Sequence, residues 1–507
     1  MNNHDKFERF SGNKDIYKNL KERSVLAALF MATGQGTDFM LRIISTIILA
    51  RLLVPEHFGL VAMVTAVIGM AEVIRDLGLS TATIQRNDIK HQQISNLFWI
   101  NVTAGMLFFL FFTAISPVIS FFYHEPKLVA ITIAISTSFV WYGLNAQHQA
   151  LLHRQLKQGK ISLIQILANL CSVIVAVLMA INGYEYWALV WREIIRNFLV
   201  TVGIWLACPW VPGLPKLNAG TREFLKFGRD LSITHFIIGI ISKVDGLLIG
   251  KFSGAAVLGV YRQAYQLIMV PIDQINGPIL SVSQPALSRL NNDPARYQNY
   301  YSKILYLIGF ITIPLGIFVM VYAREIILFL LGEKWAEAIP FLRIFAFAAS
   351  IRPIISTSAI VLITCGKSKE YLLVALGHSL FLMAFFGIGL KWGAIGIAIA
   401  HVSTSFVLMV PKLYYSFLGT PVKIGHFFNS TKIQFLATLF MLGILFIQIK
   451  KFPLDNIFFQ LLMGGTLAIL SYLSIIFLSN KGREDVIMLY KDIASSLNLK
   501  AYFCRKR

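Results

Sequence analysis

The chain has 507 residues, of which 56% are hydrophobic and only 14% charged, with a formal net charge of +21. Soluble domains carry about 25% charged residues, so this composition excludes an ordinary water-soluble domain. The apolar runs are continuous rather than alternating over about ten residues, which excludes a β-barrel and leaves an all-α polytopic membrane protein.

The first 23 residues, MNNHDKFERFSGNKDIYKNLKER, carry both signs and lack the basic start, short apolar core and small-residue cleavage site of a signal peptide. They read as a cytosolic tail. From Ser24 to Leu478, apolar stretches of about the 20 residues needed to cross a bilayer follow one another. About 14 transmembrane helices are predicted, at 27–53, 58–83, 97–123, 127–151, 161–182, 186–208, 230–252, 257–288, 301–323, 336–364, 370–390, 394–416, 434–449 and 456–478. An even number of crossings puts both termini on one side. Lys and Arg concentrate in the segments that are cytosolic if the N-terminus is, among them 153–160, Lys216 to Arg229, Lys367 with Lys369, and the tail ending Arg505-Lys506-Arg507. Charge spread over many membrane edges suits topology and anionic lipid, and gives no support to nucleic-acid binding. Cys171, Cys208, Cys365 and Cys504 all lie within spans or on the cytosolic side, so no disulfide is expected.

In chain order, the first span holds Asp38 and Arg42, four apart as in a helical ion pair. The second holds MAEVIRDLGLS, with Glu72, Arg75 and Asp76 the only charges between Phe58 and Thr83. Each charge near a bilayer centre costs roughly 2.5–3.5 kcal/mol on insertion scales, so this group needs a reason. Arg192, Glu193 and Arg196 follow on the sixth span, Lys243 and Asp245 on the seventh, Arg262 and Asp273 on the eighth, and Arg343 and Arg352 on the tenth. Arg262 and Asp273, eleven apart, return to nearly the same helix face. Mutual pairing and snorkelling account for Glu193, Arg196 and Arg343. For the others a functional role competes with that structural one: Arg42, Arg75, Lys243, Arg262 and Arg352 as a cationic substrate cleft, with Asp38, Glu72, Asp76, Asp245 and Asp273 balancing charge or coupling an ion.

The chain also repeats itself. ARLLVPEHFGLV (Ala50 to Val61) aligns with GKFSGAAVLGVY (Gly250 to Tyr261), so that Arg51 meets Lys251, Phe58 meets Leu258 and Gly59 meets Gly259. IQRND finds a counterpart in LSRLNND, and LLHRQLKQGK in LITCGKSKE. Two six-helix lobes follow, 24–208 and 230–416, joined by a cytosolic linker at 209–229. An even helix count per repeat relates them by a pseudo-two-fold along the membrane normal, with the substrate path at their interface. Two additional helices at 417–478 and a basic cytosolic tail at 479–507 complete the chain. Catalytic and nucleotide motifs are absent: the Gly366-Lys367-Ser368 tripeptide would need glycine at position 361 to close a P-loop, and Val361 stands there.

ILARLLVPEHFGLVAMVTAVIGMAEVIRDLGLSTATIQRND, LGVYRQAYQLIMVPIDQINGPILSVSQPALSRLNND, GEKWAEAIPFLRIF, QALLHRQLKQGKI and YWALV together resemble, over residues 24 to 420, the Wzx-type polysaccharide transport family. These are flippases of the multidrug/oligosaccharidyl-lipid/polysaccharide exporter superfamily, and the resemblance is to colanic-acid and exopolysaccharide exporters. It implies alternating access in the bacterial inner membrane, with no cofactor and no enzymatic step. The implied substrate is an oligosaccharide on undecaprenyl diphosphate, moved to the periplasmic leaflet for exopolysaccharide, capsule or O-antigen assembly. Membrane lipids, a polysaccharide polymerase and chain-length proteins are the implied partners. REIILFLLGEKW then reads as a short outer-surface helix. Some members are thought to couple to sodium or protons through acidic residues of the second lobe. Spans eleven and twelve carry no carboxylate, which speaks against sodium and leaves a proton on Asp245 or Glu72. A small-molecule antiporter of the same superfamily is the alternative; a membrane polymerase or ligase would need a larger outer loop than any here.

Overall fold

The computed structural model describes residues 20–72, 75–76, 78–85, 89–216, 239, 243–480, 482–484 and 486–487. The N-terminal tail before residue 20, most of the 216–229 segment, much of the seventh predicted span and the end of the basic tail lie outside these. Every regular element among the described residues is a helix. In order they are α1 (Leu20–Leu52), α2 (Pro55–Glu72), α3 (Leu79–Gln85), α4 (His91–Tyr123), α5 (Leu128–Arg154), α6 (Gln158–Ile181), α7 (Trp187–Ala207) and α8 (Val244–Arg289). Then come α9 (Pro294–Val321), α10 (Ala323–Leu330), α11 (Ala338–Ser356), α12 (Ser358–Thr364), α13 (Ser368–Gly389), α14 (Gly393–Val407), α15 (Met409–Phe417), α16 (Ile424–Lys451) and α17 (Ile457–Leu478). Nine described segments are long and apolar enough to cross a membrane. Their outward side chains are apolar, with Leu107, Val118, Phe121, Leu178 and Leu478 exposed, as a hydrocarbon solvent permits and water does not.

The helices gather into two compact units: described residues up to Arg262 with Leu390–Ile397, and Gln263–Gly389 with the described residues from Ala398 on. In the first, α4 packs on α5, α6 on α7 and α1, and α5 on α7. Phe108, Phe112 and Phe139 stack between α4 and α5, with Phe112 and Phe139 only 6° from parallel. In the second unit α9 lies against α11 and α16, and α16 against α17. Tyr297 and Tyr301 are buried there, and their hydroxyls bond Thr364 at 2.7 Å and Thr357 at 2.8 Å. A short helix, α10, and a single 3-10 turn, Glu333–Trp335, occupy the REIILFLLGEKW stretch, with Trp335 wholly buried.

The start of the segment read as a linker is held in place. Residues 208–216, which form no regular element, lie beside the beginning of α4, where the Asn96 amide donates to the Lys216 carbonyl at 2.7 Å and accepts from its N–H at 3.0 Å. Gln92 and Trp99 donate to the Leu214 and Gly213 carbonyls at 2.9 Å each. Side chains thus satisfy a backbone that has no helix to satisfy it.

One helix crossing bears on the internal repeat. A Cβ on Gly59 would strike the Ala255 carbonyl oxygen, and a Cβ on Gly259 the Pro55 carbonyl oxygen, all within the first unit. Only glycine lets α2 and this part of α8 approach so closely, the small-residue packing common between membrane helices. The contact is reciprocal, because Gly59 and Gly259 occupy matching repeat positions, as do Pro55 and Ala255.

Candidate functional site

The second predicted span is not one helix. It ends as α2 at Glu72 and resumes as α3 at Leu79, with Arg75 and Asp76 in a turn between them. The cause is local. The Asp76 carboxylate accepts from the Ser80 N–H at 3.1 Å and the Ser80 hydroxyl at 2.6 Å, satisfying the start of α3. Gly78 adopts φ +67°, a conformation that costs glycine little and other residues more. The expectation of a single span over 58–83 that carries Glu72, Arg75 and Asp76 on one continuous helix is therefore corrected. Arg75 pairs with Glu72 at 3.6 Å and lies 3.8 Å from the centre of the Tyr142 ring on α5.

Arg75 opens onto a cavity of about 350 Å³ within the first unit. Tyr142, Gln149, His153, Arg196 and Asn197 are among the residues lining it with Arg75. Gln158 fixes the His153 ring through Nδ1 at 2.8 Å, while Glu193 holds Asn197 at 3.2 Å and reaches Arg196 at 4.0 Å. Arg196, read from sequence as a structural pair, thus faces the same space as Arg75. Sequence reasoning missed Tyr142, Asn145, Gln149 and His153. Their spacing of three, four and four along one apolar span was the signal available.

The remaining charges divide. Arg42 pairs with Asp38 at 2.8 Å, and the Asn169 amide donates to the same carboxylate at 2.9 Å. Asp245 is only 4% exposed and accepts three hydrogen bonds: from the Gly246 N–H at 2.7 Å, the Tyr261 hydroxyl at 2.9 Å and the Arg262 guanidinium at 3.1 Å. Lys243 packs its stem against Gly69 and stands within electrostatic reach of Arg262, Glu72 and Asp245. The structure therefore brings five predicted residues into an alternating series, Arg75, Glu72, Lys243, Asp245 and Arg262. Arg262 does not take Asp273 as its partner, as their spacing had suggested. It turns to Asp245, whereas Asp273 lies near Arg352 in the second unit. Arg352 in turn donates to the Tyr265 hydroxyl at 2.9 Å. Among the described residues no group of three or more His, Cys, Asp or Glu side chains could hold a metal ion.

Residues 48–340 match a family described as polysaccharide biosynthesis protein. The chain belongs to this family. Among curated relatives of this family member, the teichuronic acid biosynthesis protein TuaB of Bacillus subtilis is 27% identical over 305 residues, 59% of this chain and 62% of TuaB. The lipopolysaccharide biosynthesis protein WzxC of Escherichia coli is 26% identical over 344 residues, 66% of this chain and 68% of WzxC. Among solved structures, the lipid II flippase MurJ in its inward closed conformation superposes with a TM-score of 0.72 at 16% identity, covering 92% of this chain and all of MurJ. At that identity the likeness establishes the fold of this family member alone: a multi-span helical fold like that of MurJ.

Proposed function

We propose that this protein is a flippase, not an enzyme, that moves oligosaccharides linked to undecaprenyl diphosphate from the cytosolic to the periplasmic leaflet. Membership of the polysaccharide biosynthesis family and the names of TuaB and WzxC point to glycan assembly. The observation that carries the reading is the alternating series Arg75, Glu72, Lys243, Asp245, Arg262, with Asp76 also beside Arg75 and Arg196 on the adjoining cavity. Such a series keeps each cation solvated by a carboxylate, and its two guanidinium forks and one ammonium are the donors that a diphosphate takes. Exopolysaccharide, capsule or O-antigen assembly is the setting this implies, with a polymerase and chain-length proteins acting on the product. Two six-helix lobes, 24–208 and 230–416, would rock about the substrate path.

The deciding experiment is reconstitution in vesicles loaded with fluorescent undecaprenyl-diphosphate oligosaccharide. Protein-containing vesicles should expose the inner-leaflet half of the glycan to an external glycosidase within minutes, and protein-free vesicles should not. Equal protection in both would end the flippase reading.

We place the protein in the inner membrane with both termini cytosolic. In a background lacking the four native cysteines, Glu333→Cys should react with an impermeant thiol reagent in cells whose outer membrane is permeabilised. Ser368→Cys should react only after lysis. The reverse pattern would invert the orientation.

A further inference from the structure

From Gln263 on, where α8 belongs to the second unit, this helix exposes a face unlike that of its neighbours. It is part of a segment long and apolar enough to cross a membrane. Yet the side chains exposed there include Gln266, Asp273, Gln274, Ser281, Gln284 and Ser288, and Val282 is the one large apolar side chain exposed with them. By contrast, α4 exposes Leu107, Leu110, Phe111, Val118 and Phe121. Carboxamides and hydroxyls are costly to place in hydrocarbon, so this face of α8 meets water rather than acyl chains. At 3.6 residues per turn, the six polar positions fall within a sector of about 100°.

Prolines deepen the pattern. Pro271, Pro278 and Pro285 stand inside the helix at intervals of seven. Proline has no N–H, so the carbonyls of Leu267, Gln274 and Ser281, four residues earlier, lose their helical donor. Seven residues fall only about 20° short of two full turns, so the three carbonyls form one stripe on the side of Gln274 and Ser281. The serines add acceptors to it. Ser281 donates to the Pro278 carbonyl at 2.9 Å and Ser288 to the Gln284 carbonyl at 3.0 Å, so each directs its one proton to the helix and leaves its oxygen to accept. Asp273 accepts as well, and Gln266, Gln274 and Gln284 each offer both an acceptor and a donor.

Acceptor atoms therefore predominate on this face, and no Lys or Arg stands between Gln263 and Ser288. An ionised phosphate or carboxylate brings acceptors alone and is poorly matched to it. A ligand rich in O–H donors and free of charge is well matched, and that is the chemistry of sugar rings. We propose that the Gln266–Ser288 face of α8 is a track for the uncharged sugar residues of the carried oligosaccharide, whose hydroxyls donate to it. The freed carbonyls recur every two turns, about 10 Å apart, so a glycan can pass from one to the next without leaving the face. The inference rests on the flippase reading and assigns the glycan, rather than the diphosphate, its own contact surface.

The test is binding. Full-length protein in neutral detergent is titrated with undecaprenyl-diphosphate-linked oligosaccharide extracted from the bacterium that carries this gene, and with bare undecaprenyl diphosphate. Native mass spectrometry reads both. Wild type should bind the glycosylated carrier at least ten-fold more tightly than the bare one. Gln274→Leu with Gln284→Leu should cut that preference about ten-fold, the worth of one or two hydrogen bonds, and leave affinity for the bare carrier within two-fold. Gln274→Ser with Gln284→Ser, which keeps a hydroxyl at each position, should retain most of the preference. If the leucine pair does not yield monodisperse protein, Gln284→Leu alone should cut the preference about three-fold. Equal binding of the two carriers by wild type, or an undiminished preference in the leucine variant read, would overturn the proposal. So would tighter binding of both carriers by the leucine pair, which would make the face a seat for the polyprenyl chain. The vesicle assay keeps the two readings apart: transport with an undiminished preference sinks the track alone, and a lost preference without transport sinks the flippase alone.

Discussion

Arg75→Ala is expected to abolish polymer export while leaving the protein at normal abundance in the membrane. The Arg75 side chain is 33% exposed and its partner Glu72 46% exposed, so their ion pair at 3.6 Å contributes about 0–1 kcal/mol to stability. Stacking on Tyr142 at 3.8 Å adds on the order of 0.5–1 kcal/mol. Neither loss approaches the total stability of a folded chain, about 5–15 kcal/mol. Arg75→Lys should restore export only in part, because an ammonium keeps the charge but loses the planar fork that grips a phosphate and lies on a ring. Immunoblots of membranes beside export assays check this. If Arg75→Ala is instead scarce, and Glu72→Gln restores both abundance and export, the residue is structural and the substrate role falls.

The opposite outcome is expected at Asp245. Its side chain is 6% exposed, and it compensates an Arg262 that is itself only 19% exposed. Removing one partner of a buried ion pair typically costs about 3–5 kcal/mol, because the charge left behind has no counterpart. Asp245→Ala should therefore be nearly lost from membranes and melt well below wild type when purified. Asp245→Asn, which keeps an acceptor for Tyr261 and Gly246 but not the charge, should fall between. The double change Asp245→Asn with Arg262→Gln should recover much of the abundance, since it removes both charges together. Wild-type abundance and melting of Asp245→Ala would show that Arg262 finds compensation elsewhere.

Much of the helix order is legible in the sequence because bilayer thickness sets a length that composition reports directly. The predicted 127–151 and 456–478 become α5, Leu128–Arg154, and α17, Ile457–Leu478. What escaped depends on single residues acting against that average. Hydropathy runs unbroken across 58–83, yet one aspartate that caps and one glycine at positive φ divide it. Partners at a distance escaped as well. Asp245 and Arg262 are 17 residues apart, beyond ordinary helical pairing, and the chain bends between them at Gly254, where φ is +83°. That bend lets a carboxylate meet a guanidinium that a straight helix would carry away.

The crossing at Gly59 and Gly259 speaks to ancestry. Shift every participant by 200 residues and the contact maps onto itself, Gly59 against Ala255 becoming Gly259 against Pro55. Self-complementary contact of this kind is how two copies of one chain meet across a two-fold axis. A half-length ancestor would have encoded it once and used it twice, so that any bulky substitution there entered the interface in duplicate. Two copies joined in one chain are free of that constraint at most positions, and Arg51 and Lys251, Pro55 and Ala255 differ. Glycine persists in both copies where the two backbones meet.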